Sequence, residues 1–148
     1  MKKKKQGFTL IEVLIVIGII AILAAVVLVA INPSRQFAQA RNSQRISNVN
    51  ALINAIGQNI SDNRGSFVCA SGSVPTSATV IKSSGGYDIR PCLVPNYLPE
   101  LPVDPATGSI TSSTSYDTSY TLAQDATTKR FTVSSPASEL SEVINVTR

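Results

Sequence analysis

An α+β fold is what this sequence predicts: a long N-terminal α-helix, apolar in its first half and amphipathic in its second, packed against a small antiparallel β-sheet. Three observations predict it. Phe8 to Ile31 is almost unbroken apolar sequence. Ile46, Val49, Ile53, Ile56 and Ile60 then recur at alternating spacings of three and four, with Leu52 beside them, which is the period of one helix face. From residue 66 onward, Ser, Thr, Gly and Pro interleave with short β-branched and aromatic runs, the composition of strands and turns.

The first element is set by length and charge. Val13 to Ile31 carries no charge, and the run from Phe8 is interrupted only by Thr9, Glu12 and Gly18. As a helix it is about 36 Å long, enough for a hydrocarbon core of roughly 30 Å. Lys2 to Lys5 precede it, as the positive-inside bias favours for a cytoplasmic flank. The run exceeds the 7–15 residues usual in a secretory signal, and no A-x-A site follows it. An uncut signal anchor explains length and charge but leaves Glu12 and Gly7 without a reason. A carboxylate deep in a bilayer costs about 2.5–3.5 kcal/mol, so Glu12 calls for a partner.

The residues Lys5-Gln6-Gly7-Phe8-Thr9-Leu10-Ile11-Glu12 resemble the processing site of type IV pilins and of the pseudopilins of type II secretion. That resemblance implies cleavage between Gly7 and Phe8 by a prepilin peptidase, which then methylates the new amino group of Phe8. Residues 1–7 would be a leader, 8–31 a transmembrane and filament-core helix half, and 32–148 a pilin-like globular domain whose amphipathic helix runs to about 64. The new amine has a reference pKa of about 7.7–8.0 and would be mostly cationic. Glu12 lies one helical turn from it. The resemblance implies that Glu12 of one subunit meets the Phe8 amine of the next and sets the assembly register; a charge merely tolerated near the interface is the alternative. The implied partners are other copies of the chain, the prepilin peptidase/methyltransferase, a pilus or secretion assembly platform, and the inner membrane before assembly. After assembly the chain would lie in an extracellular or cell-surface filament.

The leader also explains the charge. The chain has 13 basic and 9 acidic residues, net +4, and four of the lysines fall in residues 1–7. Without them the side chains balance, so net charge gives no argument for nucleic acid.

Beyond Ile31, Pro33 predicts a kink in a helix otherwise continuous from Phe8 to about Asn63, roughly 84 Å if straight. Gly65 suits its C-terminal cap. The stripe on its second half is too short for a convincing coiled-coil seam and suits a sheet. Strands are expected at 79–82, 119–124, 129–134 and 142–147, with a hairpin connection at 125–129. About 80 residues of short strands cannot enclose a large core alone, so the sheet is expected to cover the helix stripe.

Cys69 and Cys92, an even pair in a small extracytoplasmic domain, favour one disulfide over two free thiols. The bridge would be worth about 3 kcal/mol, and the segment it encloses, with Ser83-Ser-Gly-Gly86, reads as an exposed loop. Tyr97 to Gly108 resembles a loop of small pilins and pseudopilins; in secretion pseudopilins a nearby loop binds calcium. Asp104, Asp117 and Asp125 are the acids available, but their spacing fits no compact loop with the six to eight oxygens calcium requires, and a Pro-rich turn is the expectation. No metal or other cofactor is expected. With no histidine, no phosphate-binding glycine loop and no acid pair of defined spacing, an enzyme is not expected. The function implied is a structural subunit of a type IV pilus. The alternatives are a pseudopilin or minor pilin of a secretion or DNA-uptake machine, and a membrane-anchored binding protein or adhesin.

Overall fold

The computed structural model describes residues 7–148; residues 1–6 of the expected leader lie outside the described residues. The expected α+β arrangement is present. Helices α1 (Leu10–Ile31) and α2 (Pro33–Asp62) are followed by β1 (Thr79–Lys82), a short helix α3 (Arg90–Leu93), β2 (Ser109–Ser112), β3 (Ser115–Gln124), β4 (Phe131–Ser135) and β5 (Ile144–Thr147). The chain forms two compact units, one ending at Phe37 and the other running from Ala38 to Arg148.

The single helix expected from the sequence is two. Asn32 adopts a left-handed conformation, φ 47° and ψ 78°, which Asn tolerates better than most residues. Pro33 is the first residue of α2, the position where its missing N–H costs nothing and its φ already suits a helix. The Asn32 side-chain oxygen accepts from Ser34 Oγ at 2.8 Å, and its carbonyl accepts from the Arg35 N–H at 3.1 Å. At the other end of α2, Arg64 and Gly65 both have positive φ, and the Gly65 N–H donates to the Ile60 carbonyl at 2.8 Å. That bond closes the helix as a Schellman-type cap does, at the glycine the sequence pointed to.

The sheet is antiparallel, in the order β1-β3-β4-β5, and β2 pairs with the opening residues of β3. Alternation sets its buried face: Tyr116, Thr118, Tyr120 and Leu122 of β3 and Phe131 and Val133 of β4 point inward. Val49, Leu52, Ile53 and Ile56 of α2 join them in one core. A polar tie crosses the same interface, where Asn48 Nδ2 donates to Tyr120 Oη at 2.9 Å and to the Val103 carbonyl at 3.0 Å.

Cys69 and Cys92 form a disulfide, with Cα atoms 4.9 Å apart. The segment between them is only in part the exposed loop expected. It supplies β1 to the sheet and buries Val74, Ile81, Tyr87 and Ile89, while residues 70–73, 76–78 and the turn at Ser84 to Gly86 are exposed. Gly86 is required there, because a Cβ would strike the Val80 carbonyl oxygen and the Lys82 side chain. Buried Asn59 ties this region to α2, donating to the carbonyls of Val68 and Cys92 at 3.1 Å each and accepting from the Val68 N–H at 2.9 Å.

The helix stripe differs from expectation at its first turn. Ile46 is exposed, and Arg45 is buried in its place. Arg45 Nε donates to Asp104 at 2.6 Å and its Nη1 to Glu139 at 2.7 Å. Arg41 completes a fork on Glu139 at 2.6 and 2.7 Å. Asn42 bridges the cluster: its oxygen accepts from Arg45 Nη1 and the Glu139 N–H, and its amide donates to Glu142. Two loops distant in sequence are thereby fastened to one stretch of α2. Burial raises the carboxyl of Asp104, but the Arg45 guanidinium and the N–H groups of Ala106 and Thr107 more than reverse this, holding it at about 2. Hydrogen bonds from Arg41 and then Arg45 hold Glu139 at about 2.

Both folded values lie below the ordinary 3.8 and 4.5. The cluster's stabilisation is therefore complete above the ordinary carboxylate range and is lost as pH falls from there toward 2. Removing one partner of the buried pair, by Arg45→Ala or Asp104→Ala, is expected to cost about 3–5 kcal/mol. The paired replacement Arg45→Met with Asp104→Leu should cost less than either single change. Urea unfolding of the full chain in detergent, followed by tyrosine near-UV dichroism across this pH range, checks both statements.

Candidate functional site

The N-terminal unit places its residues simply. Every large apolar residue from Phe8 to Ile31 is at least 50% exposed, and none of α1 is buried. The helix is long and apolar enough to cross a membrane. Its Val and Ile content is not ideal for a helix in water. In hydrocarbon, however, a helix satisfies its own backbone hydrogen bonds without help from water.

The start of α1 is organised by two side chains. Thr9 is the N-cap in an extended conformation, φ −80° and ψ 154°. Its hydroxyl accepts from the Glu12 N–H at 3.3 Å, and Glu12 Oε2 accepts from the Thr9 N–H and the Thr9 hydroxyl, each at 2.8 Å. This is a capping box, and the acid also lies where the helix dipole favours negative charge. Within one chain, the carboxylate that needed a partner is held by Thr9. Gly7 and Phe8 precede the helix without secondary structure and are exposed, Phe8 at 89%. The bond between them is thus outside any helix, four residues from Glu12. Thr9 went unread in the sequence as more than an interruption, although T-x-x-E ahead of an apolar run is a capping-box signature.

Residues 2–28 match the family model described as the prokaryotic N-terminal methylation motif. The chain carries the prepilin-type cleavage and methylation motif of type IV pilins. That motif supports a type IV pilin-like or pseudopilin precursor. No curated protein and no solved structure matches it. The motif implies processing by prepilin peptidase and assembly into pilus-like structures, and with α1 it fits membrane anchoring before assembly.

The other residues singled out in the sequence lie elsewhere. Pro33 opens α2, and Cys69 and Cys92 are joined in the globular unit. Each of the three acids considered for calcium is engaged locally. Asp104 binds Arg45 and the turn at Ala106 and Thr107. Asp117 accepts from the Ser119 N–H, and Asp125 from Thr127 and Thr128.

Thr9→Val removes the hydroxyl of the capping box and keeps the residue's shape. Loss of such a cap costs about 1 kcal/mol, so amide exchange at Glu12 in detergent micelles should quicken by about five-fold. Unchanged exchange would mean the hydroxyl does not hold the first turn.

Proposed function

We propose that the chain is a structural subunit cut between Gly7 and Phe8, methylated on the Phe8 amine, and polymerised into a type IV pilus. Residues 1–7 are discarded, 8–31 form the filament core, and 32–148 form the globular part. The observation that carries this reading is α1 itself, an apolar surface that no part of the described chain covers. A bilayer covers it before assembly; other copies of α1 cover it afterward, each apolar side chain contributing about 1.5–3 kcal/mol when fully buried.

Glu12 gives that packing a register. In one chain its carboxylate is bonded by the neutral donors of Thr9. Cleavage creates a charged donor at Phe8. If subunits pack staggered by one helical turn, that ammonium meets Glu12 of a neighbour in a medium where opposite charges attract far more strongly than in water. Any other register leaves a buried charge unpaired, which is strongly destabilising.

A pseudopilin or minor pilin would share all of these N-terminal features. The pilus reading is favoured because the acids near the Pro-rich turn are already held by Arg45 and by their own turns. The chain acts as a building block and not as an enzyme in this reading, and its activity is assembly.

In filaments sheared from cells, this chain should be the abundant subunit, and its N-terminal peptide should begin with N-methylated Phe8 in a mass spectrum. A chain retaining Lys2 to Lys5 would contradict the proposal and favour an anchored binding protein. Glu12→Ala should leave cleavage intact and reduce filament yield by about ten-fold or more.

A further inference from the structure

We propose that Thr9 is a positioning residue for the cut between Gly7 and Phe8: its hydroxyl fixes where α1 begins and so keeps the scissile bond out of the helix. The inference rests on the reading that this bond is the one cut. Hydrolysis there adds water across the amide. The C–N bond breaks, Gly7 leaves with a carboxylate and Phe8 with an amine. Water must reach the Gly7 carbonyl carbon, and the carbonyl oxygen must be free to accept hydrogen bonds from the enzyme as charge develops on it.

In a helix that oxygen is already taken. Continued back by one turn, α1 would bond the Ile11 N–H to the Gly7 carbonyl and the Glu12 N–H to the Phe8 carbonyl, each donor four residues beyond its acceptor. Neither bond is present among the described residues; the Val13 N–H donates to the Thr9 carbonyl at 3.3 Å, and the ladder starts there. The Glu12 N–H goes instead to the Thr9 hydroxyl. That hydroxyl therefore occupies the donor through which the helix would propagate across Phe8. Glu12 steadies it by accepting its proton at 2.8 Å.

Two further observations put the boundary at the same place. Phe8, just before the cap, and Val13, the fourth helical residue, line one groove along α1. Those are the positions of a hydrophobic staple, which sets the angle at which the chain enters a helix. At Gly7, a Cβ would meet nothing within 4 Å, and φ lies outside the left-handed region. Neither packing nor backbone angle in the chain calls for glycine there. Glycine does weaken a helix, so Gly7 and Thr9 act in one direction: the first opposes propagation across the bond, and the second ends the helix beyond it.

Without the hydroxyl the helix start is no longer fixed. Some chains unwind past Glu12 and others continue back through Phe8. Only the remaining fraction presents the bond correctly, and apparent affinity falls with that fraction while the chemical step in the bound chain is unchanged.

The test uses the full-length precursor in detergent micelles with a prepilin peptidase, following the loss of residues 1–7 by mass. Thr9→Val should raise KM about two- to five-fold at unchanged kcat, the upper figure being the population shift that loss of one cap allows. Thr9→Ser and Thr9→Asn, two caps of different shape, should both restore KM, and amide exchange at Glu12 should follow KM across the series. An unchanged KM in Thr9→Val, or a loss confined to kcat, would overturn the proposal. Rescue by Ser and not by Asn would overturn it too, because the enzyme would then be reading the hydroxyl itself. A parent chain that is not cut at all would instead remove the reading on which the inference rests.

Discussion

An apolar helix with no cover is the constraint on which this molecule depends. Nothing in the described chain buries α1, so its surface must be removed from water by lipid or by other helices. The one charge within it, on Glu12, is held by Thr9 through a capping box. That local solution makes the helix tolerable in a membrane without giving the carboxylate an opposite charge. In the proposed assembly the same side chain, satisfied alone by Thr9, is better satisfied beside a new ammonium.

The globular unit meets a different requirement. One helix face and a small sheet make the core, and polar ties extend it. Arg45, Asp104, Arg41 and Glu139 fasten the turns after α3 and after β4 to the start of the buried part of α2. Asn59 does the same at its other end, where the disulfide joins the two segments it holds. The ties lie where the apolar stripe runs out. A small domain with a limited apolar core gains most from such cross-links, and here they bring residues more than 90 positions apart into one cluster.

Elements dictated by local pattern were legible in the sequence. The apolar run marked α1, Gly65 marked the end of α2, a β-branched run marked β1 within its true bounds, and alternation marked the hairpin between β3 and β4. What escaped depended on distant partners. Helical spacing put Ile46 in the core, yet Arg45 takes that place because Asp104 and Glu139 are waiting for it, 59 and 94 residues away. Strand β2 is short and fully exposed, so it carries no alternation to read. The break at Asn32 was displaced by one residue in the reading of Pro33: proline ended one helix by opening the next. At the N-terminus, Gly7, Phe8 and Glu12 were recognisable by type and order, whereas Thr9 required the hydrogen-bond geometry.

Imaging the assembled filament by cryo-electron microscopy tests the register directly, by locating Glu12 relative to Phe8 of the adjacent subunit. Helices α1 should lie together on the filament axis, with a Glu12 carboxylate oxygen about 2.7–2.9 Å from the neighbour's Phe8 nitrogen, the length of a charge-assisted hydrogen bond. Filaments in which α1 lies outside the core, or in which Glu12 remains on its own Thr9 with the Phe8 amine facing no carboxylate, would contradict the account.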